Sequence, residues 1–115
     1  MTTPCRGEVW WIQFDPQVGE EIGKTRPGVV VNIEEVGRLK LRIVVPMTDW
    51  KDKYSSTPWF VHLEPNAING LQKVSAADCF QVKSMALERL RKKVGALESA
   101  EMAEIAAAIA LCVGY

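Results

Sequence analysis

The chain has 115 residues, 48% hydrophobic and 24% charged, which suits one packed domain over 1–115 and leaves too little chain for a second core. Lysine plus arginine equal aspartate plus glutamate at 14 each, so net charge points to no polyanion partner. No apolar run reaches the roughly 18 residues of a membrane span, and the opening Met1-Thr-Thr-Pro-Cys-Arg-Gly has neither a basic tip nor a hydrophobic stretch, which favours a cytoplasmic protein over a secreted or membrane one.

Residues 7–14 read as a strand, with Trp10, Ile12 and Phe14 alternating with Val9, Trp11 and Gln13 before Asp15-Pro16 ends it. Adjacent tryptophans on a strand face opposite sides, so one fills the core and the other needs a covering helix, a second subunit or a ligand. Residues 17–25 form a polar loop with Gly19 and Gly23, and 28–33 are a β-branched run expected to be a buried strand. Leu39, Leu41, Ile43 and Val45 alternate with Lys40, Arg42, Val44 and Pro46, which predicts a half-buried strand with a basic outer face and puts Thr48 on the Lys40/Arg42 side.

Residues 49–57 are a second polar loop, 59–63 a strand on which His62 reads as a surface or cross-strand residue, and 74–84 another strand with Val74, Ala76, Phe80 and Val82 on one parity. Short helical character is expected at 86–92. The last element is the clearest helix: Ser99 as cap, Glu101 and Glu104 at its positive end, Met102, Ile105, Ile109 and Val113 as one stripe, and Gly114 at the stop. Five or six short strands followed by one helix indicate an α+β chain, a small bent β-barrel with a terminal helix packed on it.

Charge is uneven along the chain. Arg38, Lys40, Arg42, Lys51 and Lys53 face two acids, Lys83, Arg89, Arg91, Lys92 and Lys93 face Glu88 alone, and from Glu98 onward there are three acids and no bases. Solvated surface accounts for such runs as well as a binding face does. Cys5, Cys79 and Cys112 are odd in number and widely spaced, which predicts buried or half-buried reduced thiols. With one histidine and no ligand spacing, neither a metal nor another cofactor is expected.

No paired-carboxylate, phosphate-loop or serine-triad signature is present. What stands out is Gly23-Lys24-Thr25-Arg26-Pro27 before an apolar strand, and Pro46-Met47-Thr48 at the end of another. Together with Arg6-Gly-Glu-Val-Trp-Trp, Gly19-Glu-Glu-Ile-Gly-Lys-Thr-Arg-Pro and Asp78-Cys-Phe-Gln-Val-Lys-Ser, these blocks resemble the MazF/PemK toxin family in order and spacing over almost the whole chain.

The resemblance implies an SH3-like barrel of the PemK/CcdB-like toxin fold, a homodimer, an antitoxin partner and a metal-independent endoribonuclease acting on single-stranded RNA. By position it implies Arg26, Thr48 and Glu21 as catalytic residues and Gln81, Lys83 and Ser84 as an RNA-binding block. Phe80 is a departure, because many members carry aspartate there; Asp78 lies two residues away. RNA brings its own nucleophile, the 2′-hydroxyl, so such an enzyme needs a group to stabilise phosphoryl charge, for which the guanidinium of Arg26 is suited.

Thr48 either bonds the phosphate or closes on its own backbone, and Glu21 is either the base or a solvated loop carboxylate. Thr25 sits beside Arg26 as a further RNA contact. Lys24, Lys51, Lys53 and Lys83 can take phosphates, and Trp50 either stacks a base or packs on its own loop. The alternative reading is a toxin of the same fold that inhibits a protein such as DNA gyrase, and a third is a binding module without catalysis.

Overall fold

The computed structural model describes residues 3–115; Met1 and Thr2, at the head of the opening segment, lie outside the described residues. Seven strands precede one helix: β1 (Glu8–Gln13), β2 (Thr25–Val30), β3 (Leu41–Asp49), β4 (Phe60–Leu63), β5 (Ser75–Asp78), β6 (Lys83–Ala86), β7 (Leu90–Ala96) and α1 (Ser99–Cys112). Every pairing is antiparallel, in the order β4-β5-β3-β2-β1-β7, with β6 also on β3.

The long strand β3 organises the sheet. Its first half, Leu41 to Val44, pairs with β6, and its last three residues pair with β5. The sheet is thereby bent into two apolar faces. One holds Val9, Val29, Val45 and Met47 under Met102, Ile105 and Ala108 of α1; the other holds Trp10, Ile12, Phe14, Val30, Val44 and Met85. Period-2 alternation on β1, β2 and β3 feeds both faces from each strand, which is why these runs read as continuously apolar. The expected barrel is not closed, because among the described residues β4 and β7 end the sheet and do not pair.

The tryptophans divide as their parity requires: Trp10 is buried and Trp11 stands outward. On β3 the expected basic outer face is wrong. Arg42 is only 4% exposed, whereas Leu41 and Ile43 face out. The guanidinium is buried at a backbone gap: its Nε donates to the Pro4 carbonyl at 2.9 Å and its Nη1 to those of Leu39 and Leu41 at 2.9 and 2.7 Å. Three backbone carbonyls hold the charge in place.

The expected strand at 74–84 is broken after Asp78 by a single 3-10 turn, Cys79–Gln81, which flips the parity and leaves Phe80 exposed. The helical character expected at 86–92 shrinks to a 3-10 turn at Leu87–Arg89, and β7 takes the rest by pairing with β1. The helix cap is Glu98, not Ser99. Its carboxylate takes the Glu101 N–H while the Glu101 side chain takes the N–H of Glu98 at 2.9 Å. Val113 falls outside the buried stripe, and Gly114 stops the helix at φ +77°.

The thiols are not uniformly buried: Cys79 is buried, Cys112 half-buried and Cys5 exposed. Burial pushes the Cys79 thiol up to about 12, with Cys112 and Asp78 adding to the effect. Only the thiolate attacks disulfide reagents, so titration of the native protein at pH 8 is expected to modify Cys5 within the first phase. Cys79 should react only in denaturant. Rapid native labelling of Cys79, read by peptide mass mapping, would show the packing around it to be wrong.

Candidate functional site

Arg26 and Thr48 line one pocket, and strand register accounts for their placement there. Gly28 of β2 pairs with Pro46 of β3, and continuing that antiparallel register by two residues sets Arg26 opposite Thr48. Beyond this point β3 turns to pair with β5, so the two side chains are left at the edge of a pocket of about 270 Å³. Trp11, Thr25 and Pro27 form one wall and Met47, Asp49 and Lys73 another. Trp11 faces Pro27 across the β1–β2 ladder and is 36% exposed, so the outward tryptophan of the pair finds its place at this pocket.

Arg26 is half-buried. Its Nε donates to the Gly23 carbonyl at 3.1 Å, and among the described residues no hydrogen bond within the chain holds its two terminal amino groups. Asp49 and Lys73 form an ion pair at 2.9 Å with both side chains more than half exposed, a contact worth about 0–1 kcal/mol.

The loop leading to Arg26 is tied from two sides. Lys24 adopts φ +66°, its N–H donates to Asp15 Oδ1 at 2.7 Å, and its carbonyl takes the Phe14 N–H at 2.8 Å. On the other side, Gln81 Oε1 accepts the Ile22 N–H at 2.7 Å, while its Nε2 donates to the Glu20 carbonyl at 3.2 Å and to Asp78 Oδ2 at 3.0 Å. Asp78 is 6% exposed, its Oδ1 has no partner, and burial raises its pKa above the ordinary carboxylate value.

The structure brings only part of the expected set together. Arg26, Thr48 and Thr25 share the pocket. Glu21, Gln81 and Lys83 line a separate open groove of about 660 Å³ with Glu20, Trp59 and Phe80, and the Glu21 carboxylate is occupied by the Val18 N–H at 3.1 Å. Glu21 is therefore not beside Arg26 and Thr48. Lys24 is exposed at the loop's end, and Ser84 is exposed on β6 opposite Ile43.

Trp50 packs on its own loop, edge-on to Tyr54 at 5.8 Å and to His62 at 4.6 Å between ring centroids. Lys51 and Lys53 are exposed around the 3-10 turn that follows, and His62 lies on the surface 3.2 Å from Glu64. Asp49 and Lys73 were missed, since an isolated polar residue after a strand and a lysine in a loop carry no local signal. Among the described residues, no group of three or more His, Cys, Asp or Glu side chains is placed to hold a metal ion, and no helix is long and apolar enough to cross a membrane.

Residues 5–113 match the family model described as PemK-like, MazF-like toxin of type II toxin–antitoxin system. Endoribonuclease MazF9 of Mycobacterium tuberculosis is 34% identical over 112 residues, covering 92% of both chains. Endoribonuclease toxin ChpB of Escherichia coli is 30% identical over 94 residues, 78% of this chain and 77% of that protein. In fold, the chain is similar to MazF from Deinococcus radiodurans, with a TM-score of 0.82 over 100% of both chains at 23% identity. A mycobacterial endoribonuclease solved in complex with its cognate antitoxin gives 0.75 at 18% identity, over 96% of this chain and 95% of that one.

Proposed function

Because the chain belongs to the PemK-like, MazF-like family of type II toxin–antitoxin toxins, we propose that it is a cytoplasmic endoribonuclease cutting single-stranded RNA at the pocket shared by Arg26 and Thr48. The observation that supports this reading is that Arg26 and Thr48 line one pocket, at the end of the register in which Gly28 of β2 pairs with Pro46 of β3. A toxin acting by protein capture alone has no use for a guanidinium that, among the described residues, keeps its terminal amino groups unbonded in a pocket it shares with a threonine.

The RNA 2′-oxygen attacks the adjacent phosphorus, the 2′-O–P bond forms as the P–O5′ bond breaks, and the products end in a 2′,3′-cyclic phosphate and a 5′-hydroxyl. The proton leaving the 2′-oxygen is balanced by the one gained at the 5′-oxygen, exchanged through solvent at the pocket mouth. Arg26 forks onto the non-bridging oxygens as charge builds there. The Thr48 hydroxyl donates to the same phosphate and fixes its orientation. No step calls for a metal, since the nucleophile is part of the substrate.

Purified protein is expected to cut an unstructured RNA in EDTA and leave cyclic phosphate ends. Thr48→Val, which keeps the shape and removes the hydroxyl, should slow cleavage about tenfold, the scale of one hydrogen bond to a charged group. Intact RNA after incubation with folded wild-type protein in large excess would remove the reading. As a toxin of this family it pairs with a cognate antitoxin, and a homodimer is part of the same proposal: Leu41 and Ile43 stand outward on β3, apolar surface that a second copy would cover.

A further inference from the structure

Gln81 has no hydrogen-bond donor left to offer a substrate. A side-chain amide carries two N–H bonds, and here one goes to the Glu20 carbonyl and the other to Asp78 Oδ2, while its oxygen takes the Ile22 N–H at 2.7 Å. The bonds to Ile22 and Glu20 span 59 and 61 residues of sequence and join the turn after β5 to the loop before β2, while the bond to Asp78 is local. The residue next to Ile22 is Gly23, whose carbonyl receives Arg26 Nε at 3.1 Å. The far side of the loop is held by Asp15 through the Lys24 N–H.

We infer that Gln81 is a positioning residue: anchored on buried Asp78, its amide pins residues 20 and 22 so that the Gly23 carbonyl aims the Arg26 guanidinium into the pocket with Thr48. This rests on the nuclease reading for its catalytic consequence and on the hydrogen bonds alone for its structural one. Gln81 lies in the second groove and does not touch the pocket, so it acts on the reaction through the loop. Asp78 acquires a role by the same route. With Oδ2 committed to Gln81 and Oδ1 enclosed, it is the fixed post of the clamp rather than a proton acceptor for RNA.

A polar loop with two glycines has many accessible conformations, and the clamp selects one. Misplacement of a reacting group by about 1 Å costs on the order of a hundredfold in rate. Gln81→Leu keeps the bulk and deletes all three bonds. Its kcat on a single-stranded oligonucleotide is expected to fall about tenfold to a hundredfold, with KM within about twofold of wild type.

Gln81→Glu gives an independent readout. Its carboxylate can accept the Ile22 N–H but cannot donate to Asp78 Oδ2 until protonated. It shares its groove with Asp78, Glu20, Glu21 and Lys83. Its rate relative to wild type should therefore climb as pH falls from about 8 to about 5, a trend that a purely steric defect would not produce.

Amide exchange of Ile22, measured without RNA, is expected to quicken in Gln81→Leu while exchange in β1 stays at the wild-type rate. A raised KM with unchanged kcat would overturn the inference in favour of direct RNA contact. Unaltered Ile22 exchange in the folded variant would overturn it as well. If Gln81→Leu fails to fold, the pH trend of Gln81→Glu decides, and a flat ratio sinks the clamp. Absence of cleavage by wild type would sink the nuclease reading, leaving the exchange measurement to judge the clamp by itself.

Discussion

Replacing Arg26 by alanine lowers kcat/KM for single-stranded RNA by a hundredfold or more, with the melting temperature close to that of the wild type. One preorganised donor aimed at developing charge is worth about 3 kcal/mol, and each 1.36 kcal/mol is tenfold in rate. Arg26 meets the requirement of preorganisation: its Nε is fixed on Gly23, its stem is half-buried against the pocket wall, and its terminal amino groups are unspent. Arg26→Lys keeps the charge but loses the fork, so it should recover only a small part of the rate. The stability effect is small because the side chain gives the fold one hydrogen bond. Cleavage of labelled RNA in EDTA, followed on a denaturing gel beside a thermal melt, makes the comparison. Wild-type rates in Arg26→Ala would mean that the phosphate is bound elsewhere.

Gly95→Ala is expected to destabilise the protein by about 3 kcal/mol, the largest stability loss among the changes considered. A methyl group on Gly95 would lie 2.4 Å from the backbone carbon and oxygen of Asn69 and 2.5 Å from the Ile68 carbonyl. None of these atoms is at the end of a flexible side chain, so relief requires the 66–71 segment to leave β7. That segment is itself well tied, with Asn69 fully buried and its amide bonded to the Glu64 carbonyl at 2.8 Å and to the N–H groups of Asn66 and Leu71 at 3.1 and 2.9 Å. The same close approach is needed from the other side, where a methyl on Gly70 would meet the Val94 carbonyl at 2.2 Å. Since Gly70, Leu71 and Val94 line the Arg26 pocket, the variant should lose activity along with stability. Urea unfolding reads the loss; a midpoint equal to that of the wild type would place the loop away from β7.

The elements that sequence periodicity revealed are those with one dominant neighbour. β1 reads as a nearly continuous apolar strand because its two sides feed two apolar faces, and α1 has a stripe because its buried residues lie on one side. Where a long-range contact overrides local pattern, the reading inverts. Arg42 looks like a solvent-facing base on β3 until the carbonyls of Pro4, Leu39 and Leu41 are placed around it. The turn at Cys79–Gln81 has no glycine or proline to announce it, and with it went the parity of Phe80. Arg26 and Thr48 were linked by family resemblance, and both line the pocket that opens where the β2–β3 pairing ends at Gly28 and Pro46. Glu21 illustrates the limit: the family resemblance put it with Arg26, while its carboxylate folds back on Val18 and the residue lines the other groove.

An open sheet has two rims, and a rim is a template for uncontrolled zippering between like molecules. At β7 that hazard is met by consecutive, solvent-exposed Arg91, Lys92 and Lys93, of which, among the described residues, Lys93 alone is in an ion pair, with Glu8 at 3.0 Å. Two such rims brought edge to edge would confront like charges along their length. The basic run thus acts as a fender that keeps the small protein dispersed, and its removal would be felt as turbidity long before it was felt as a change of fold.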